Sequence, residues 1–280
     1  MRGYGLKDVA RLLELSESQL RSLLAAGWVT PLRGARGALR LSFQDLVVLR
    51  TAKELKARGL SGRRLRSALT ALRTQLPQGA DLSRLRITAQ GDELVVRGAD
   101  GAYRGPYAPG SGQLLFDFEV GELSQKVAPL ADRALAEAAE DPALDAEGWY
   151  ALGADLDAGS PPQAQAAYLA ALALDPDHLE ARIDLGRLLH EAGEPAAAAA
   201  QYAAALERAP GHPVALFNLG VAREDLGELA GAVEAYQAAL ASDPSEADAH
   251  HNLGRLLDRL GDPEAALRHL AAYRRLTRVS

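Results

Sequence analysis

The chain contains no cysteine, so neither a disulfide framework nor a thiolate metal site can form. Lysine is scarce: Lys7, Lys53, Lys56 and Lys126 are four of 31 basic residues, and the rest are arginine. No apolar run approaches the roughly 20 residues that cross a bilayer as a helix. The opening Met1-Arg2-Gly3-Tyr4-Gly5-Leu6-Lys7-Asp8 lacks the apolar stretch of a secretory signal. These absences predict a cytoplasmic protein with no membrane partner.

Catalytic signatures are missing too. The histidines are His178, His190, His212, His250, His251 and His269. None pairs with another at helical ligand spacing, and none lies in a Glu-containing zinc motif. There is no Gly-Lys-Ser/Thr phosphate loop and no Gly-x-Ser-x-Gly elbow. The glycine-rich stretch 98–112 has no lysine and reads as a loop. The sequence therefore predicts no enzyme, no cofactor and no metal. Glu224-Asp225 reads as a solvated helix face, and Trp28 and Trp149 as core residues.

What is present is a divided charge. The net charge is −6 over 280 residues, a length that accommodates two or three domains. Residues 1–90 carry +11 and residues 91–280 carry −17. A basic module joined to an acidic one suits a nucleic-acid reader with a protein-binding arm; a solvated basic face is the plainer alternative.

The fold class that the periodicities predict is mainly α, with a small β-unit between two helical regions. Lys7–Leu13 is a short apolar-periodic helix, Glu14–Glu17 a turn, and Ser18–Ala26 a second helix that Gly27 ends, with Ser16 placed to cap it. Pro31–Leu41 carries Arg33, Arg36 and Arg40 around Gly34 and Gly37, as an arginine-tipped hairpin would. Phe43–Arg58 is a long amphipathic helix after Ser42, and Ser61 starts another that ends before Pro77. Residues 83–119 switch to strand period at 85–88, 93–96 and 113–116. A helix over Val127–Ala139 reads as a linker or cap.

The C-terminal region is an internal repeat. Leu152-Gly153, Leu185-Gly186, Leu219-Gly220 and Leu253-Gly254 recur at intervals of 33, 34 and 34 residues. Tyr202, Tyr236 and Leu270 follow the last three glycines by 16 residues, and Ala198, Ala232 and Ala266 follow by 12. This is the helix–turn–helix period of a tetratricopeptide repeat (TPR), in which small residues let paired helices approach and Tyr or Leu fills between them. The domains so expected are 1–77, a winged helix-turn-helix; 83–119, a small β-unit; 120–145, a helical linker; and 146–280, a TPR α-solenoid of about four repeats.

The N-terminal segment resembles the MerR-type winged helix. The matching residues are Tyr4, Val9-Ala10, Leu15-Ser16, Leu20-Arg21, Gly27-Trp28-Val29, Pro31, Arg33, Arg36, Ser42, Asp45-Leu46 and Gly59-Leu60-Ser61. Ser22 and Leu23 stand where that family usually has two tyrosines, and no long coiled coil follows the head. The joint pattern also resembles a bacterial group that couples such a head to a short β-segment and TPR repeats.

The resemblance implies double-stranded DNA as a partner. Ser18, Gln19, Arg21 and Ser22 would meet the major groove, where Gln pairs with adenine and Arg with guanine or phosphate. Arg33, Arg36 and Arg40 would reach phosphate or the minor groove. A protein or peptide would lie in the TPR groove on Arg187, Phe217, Asn218, His251, Asn252 and Arg255. There an asparagine amide can grip an extended backbone, and arginine a carboxylate; linking adjacent repeats is the equal alternative for Asn218 and Asn252. The expected function is a transcriptional regulator or DNA-tethered adapter. The competing expectation is an interaction scaffold that binds no DNA. A homodimer is compatible with either, since one winged helix reads one half-site.

Overall fold

The computed structural model describes residues 3–33, 38–60, 62–76, 82, 85–90, 93–97 and 114–277. The chain falls into two compact units, Met1–Ala167 and Tyr168–Ser280. Among the described residues both are dominated by helix, and the C-terminal unit is built of repeats, as the periodicities predict.

The first unit opens with strand β1 (Tyr4–Gly5), helix α1 (Leu6–Leu12) and helix α2 (Glu17–Ala25). Strands β2 (Leu32–Arg33) and β3 (Leu39–Leu41) form the described part of the hairpin. β3 is central, antiparallel to both β1 and β2. Helix α3 (Phe43–Ala57) follows, with Ser42 and Asp45 closing a reciprocal capping box that satisfies two otherwise unpaired backbone N–H groups. Helix α4 (Gly62–Gln75) completes the head; Ser61, expected to cap it, lies outside the described residues, as do Gly34 to Gly37 and the stretch 98–112.

The β-unit has three described strands, β4 (Arg86–Gln90), β5 (Glu93–Arg97) and β6 (Leu114–Glu119). β4 lies between the other two, antiparallel to each, and Ile87 faces Val96 on one side and Phe118 on the other. All three side chains are buried.

Helix α5 (Val120–Ala139) begins where β6 ends and is seven residues longer at its start than the sequence suggests. It is no free linker. Val120, Leu123, Val127 and Leu130 belong to one apolar core with Val9, Leu20, Leu46, Leu49, Leu69 and Ile87. Burial of that stripe outweighs the cost of Pro129, which sits mid-helix and cannot donate a backbone hydrogen bond.

Helix α6 (Ala146–Asp157) and the start of α7 (Pro161–Leu174) also belong to this unit. The corner between them is pinned by groups distant in sequence. The Leu82 N–H donates to the Ala158 carbonyl at 3.1 Å, and the Ser124 hydroxyl to the Gly159 carbonyl. The Gln163 amide donates to Asp132 at 2.7 Å. The unit boundary thus falls within α7, whereas the sequence period alone places it near residue 145.

The second unit continues with α8 (Leu179–Glu191), α9 (Pro195–Arg208), α10 (Pro213–Asp225), α11 (Leu229–Ser242), α12 (Ala247–Arg259) and α13 (Pro263–Thr277). A Cβ added at Gly186 would lie 2.6 Å from the Tyr202 ring, at Gly220 2.5 Å from Tyr236, and at Gly254 2.8 Å from Leu270. The recurring Leu-Gly pairs therefore mark the points where consecutive helices touch, and Tyr202 and Tyr236 are almost wholly buried there.

Candidate nucleic-acid interface and repeat face

In α2, Leu20 and Leu23 point into the core. Helical spacing then leaves Ser18, Gln19, Arg21 and Ser22 outward, and all four are exposed. The start of this helix is fixed by a second capping box: the Ser16 hydroxyl accepts from the Gln19 N–H, and the Gln19 side-chain oxygen accepts from the Ser16 N–H at 2.9 Å. Gln19 therefore commits one acceptor site of its amide oxygen to the helix and keeps its amide N–H2 and one lone pair to offer. Ser18 shares a 2.9 Å hydrogen bond with the Ser16 hydroxyl. Arg21 forms no salt bridge among the described residues.

The preceding turn is held by lysine. Glu14 adopts a left-handed conformation, φ 52°, between α1 and α2. Lys53 of α3 donates to the Leu13 carbonyl at 2.8 Å, a cation at the end of α1 where carbonyls lack partners. Lys53 and Lys126 each also stand 3.8 Å from the Glu14 carboxylate. Two of the four lysines thus hold the turn that aims α2.

Arg33 and Arg40 of the hairpin do not share a face. Arg33 pairs across the ribbon with Leu39, and Arg40 with Leu32, so the two guanidiniums leave opposite faces. Arg33 is exposed. Arg40 is half-buried, with its Nη1 over the backbone of Gly5; it belongs to the hairpin's stem rather than its tip. Arg36 lies outside the described residues. Sequence reasoning also passed over Arg63, Arg64 and Arg66, exposed on the first turns of α4. Their signal was the local run Gly62-Arg63-Arg64-Leu65-Arg66.

Several side chains on the repeat face are already engaged. Arg187 holds Glu191 at 3.0 Å within α8. Asn252 of α12 lies beside the Tyr236 hydroxyl of α11 and acts to lower its pKa, which fits its reading as a link between repeats. Phe217 lies against the Tyr236 ring at 5.9 Å, and His251 against Tyr273 at 4.8 Å. Arg255 donates to Glu224 at 3.1 Å. Asn218 is half-buried at the matching position of α10.

Glu224 corrects the expectation of a solvated face. Its side chain is only 12% exposed, it accepts from the Tyr236 hydroxyl at 3.3 Å, and Arg259 stands 3.5 Å away. Asp225 pairs with His190 of α8 at 2.8 Å. Both acids tie helices of successive repeats together. Burial, with the Glu224 charge adding to it, raises the Tyr236 phenol well above its ordinary pKa.

At the last repeat the Nδ1 atoms of His250 and His269 are 3.0 Å apart. Burial, then the charge of His250 and that of Arg268, lower the His269 pKa. Folding thus favours neutral His269, and below the ordinary histidine pKa of about 6.5 the unfolded state takes up the extra proton. This contribution is complete above that pH and lost as pH falls toward the folded value. The thermal midpoint should drop between pH 7.5 and about 5.5, and drop less in His269→Gln; an equal drop in both would remove His269 as the cause.

Three family models match. Residues 4–72 match the MerR HTH family regulatory protein model, residues 154–213 a tetratricopeptide repeat model, and residues 223–261 a TPR repeat model. Among solved structures, a MamA RS-1 double mutant is 27% identical over 56% of this chain and 92% of its own, with a TM-score of 0.48. MamA from Desulfovibrio magneticus RS-1 is 27% identical over 57% and 93%, also at 0.48. YrrB, described as a TPR protein with an unusual peptide-binding site, is 22% identical over 55% and 83%, at 0.46. No curated protein matches the chain.

Proposed function

Since the chain joins a MerR-type helix-turn-helix head to tetratricopeptide repeats, we propose that it is a DNA-binding transcriptional regulator, or DNA-tethered adapter, whose repeats hold a protein partner. The observation that carries this reading is the outward face of α2, where Arg21 stands exposed between Ser18 and Ser22 on a helix fixed at its start by a capping box. A helix so mounted can enter the major groove while Arg33, Arg63 and Arg64 meet phosphates. The proposal gives the chain no catalytic step and no cofactor. Its compartment is the cytoplasm, and no described helix is long and apolar enough to cross a membrane.

A second reading, a scaffold that binds no DNA, draws support from the head's core. That core is continuous with α5, so the head is built as part of a larger packed unit.

Binding of the full chain to genomic DNA fragments, at low and moderate salt, separates the two. The first predicts enrichment of a defined site. Its affinity falls steeply with salt and about tenfold or more in Arg21→Ala. Gln19→Glu keeps the helix cap but sets a carboxylate on the DNA face, so it should weaken binding while leaving stability unchanged. Weak binding, equal for all fragments and indifferent to Arg21→Ala, would establish the scaffold.

A further inference from the structure

A cavity of about 440 Å³ opens in the head between the end of α2, the start of α3 and one face of α4. It is lined by Gly27, Trp28, Gln44 and, on α4, by Arg66, Leu69, Thr70 and Arg73. The α4 residues are spaced i, i+3, i+4 and i+7, a single stripe along the helix. The stripe sets a guanidinium at each end and the buried Leu69 between them. Among the described residues no acidic side chain lines the cavity. The charge of Asp45 reaches Arg73, but its carboxylate is committed to the Ser42 capping box.

Trp28 supplies the second observation. Its indole Nε1–H is buried and has no hydrogen-bond acceptor. A buried donor without a partner is costly to leave, and the residues around it offer mostly further donors. Arg73 Nη1 makes only a long contact, 3.4 Å, to the Trp28 carbonyl, which leaves most of its guanidinium unspent. The site lacks an acceptor with negative charge, and its size suits a small organic molecule.

We propose that this cavity binds a small organic carboxylate with an apolar body. The carboxylate would accept from Arg66 and Arg73, while the apolar part would rest on Leu69 and the Trp28 ring. Arginine's fork matches a carboxylate in geometry as well as charge. A DNA phosphate is the other anion at hand, but the apolar lining from Leu69 and Trp28 favours a compact molecule that enters the cavity. The site stands or falls without reference to DNA binding.

The two tryptophans give a direct readout. In the full chain, the indole N–H signals of Trp28 and Trp149 are followed by 1H–15N NMR, with Trp149→Phe to assign them. Cyclohexanecarboxylate is titrated, with cyclohexylmethanol and inorganic phosphate as comparisons and no DNA present. The expected result is a saturable shift of the Trp28 signal alone, since Trp28 lines the cavity. It should be about tenfold weaker in affinity for the alcohol, for phosphate, and for the acid in Arg73→Gln or Arg66→Gln. Both arginines are exposed, so these variants fold, and an unchanged Trp149 signal verifies it. No saturation, or equal affinity for acid and alcohol, or indifference to both arginine variants, overturns the site. Equal affinity for phosphate overturns the ligand class.

Discussion

Gly220→Ala should lower the stability of the repeat unit by about 2 kcal/mol, although alanine is the better helix former by about 1 kcal/mol. The reason is a contact that cannot relax. The new Cβ would lie 2.5 Å from Cε1 and 2.6 Å from Cδ1 of Tyr236, whose ring is wholly buried. The hydroxyl of the same tyrosine is tied to Glu224, so the ring cannot swing aside without breaking that bond. Gly254→Ala provides the comparison: its neighbour is the flexible Leu270 at 2.8 Å, so the loss there should be smaller. Leucine at position 236, as the fourth repeat has at 270, should recover part of the loss in the Gly220→Ala background. Urea unfolding of the four variants measures this as a double-mutant cycle. Additive losses would show that the glycine serves the helix backbone and not the packing.

These repeat contacts were legible in the sequence because each is made at a fixed distance along the chain. Sixteen residues separate Gly220 from Tyr236 in any such repeat, and the period advertises the partner. The capping of α2 by Ser16 and the stop at Gly27, where φ is 74°, were legible for the same reason: cap and helix are neighbours. Contacts that depend on which elements meet in space left no such mark. Nothing near Lys53 reveals that it closes α1 from 40 residues away. Glu224 has the composition of a solvated face until Arg255 and Tyr236 are placed around it.

Helix α5 is an intermediate case. Its buried positions 120, 123, 127, 130, 131 and 134 do follow helical spacing. A start at Val127 would put Pro129 in the first turn, where proline costs least, and β6 passes into α5 with no turn residue to mark the change. Local rules therefore favour the shorter helix. The longer one forms because the head and the β-unit supply apolar surface for Val120 and Leu123 to cover. The same limit applies to the hairpin: the sequence places Arg33 and Arg40 on one ribbon, but only the register shows that they face apart.

The continuity of that core makes Gly159 a consequential position of the first unit. A Cβ there would lie 2.4 Å from Cδ2 and 2.5 Å from Cγ of Phe43, a residue buried at the first turn of α3. The corner cannot retreat, because the Gly159 carbonyl accepts from Ser124, the neighbouring Ala158 carbonyl accepts from Leu82, and Ser160 is buried. Tyr4 of β1 also reaches this corner; its hydroxyl lies toward Ser160 and Asp155 without a well-formed hydrogen bond, and burial pushes its pKa up to about 12. Gly159→Ala should therefore destabilise the unit by about 3 kcal/mol, at the upper end for an added methyl in a packed core. The loss should not stay local. Amide exchange followed by mass spectrometry should quicken together in α1, α3 and α5, whose apolar faces share one core, and at the α6–α7 corner, where Ala158 packs against that core. Phe43→Leu in the same background shortens the side chain that the methyl strikes and should slow exchange again. If Gly159→Ala instead loosened only α6 and the start of α7, the first repeat would be an appendage, and the head would be a separate domain, as the sequence period suggests. A concerted response would mean that the head and the first repeat fold as one body, so that strain at the start of the repeats can alter how firmly the head is held.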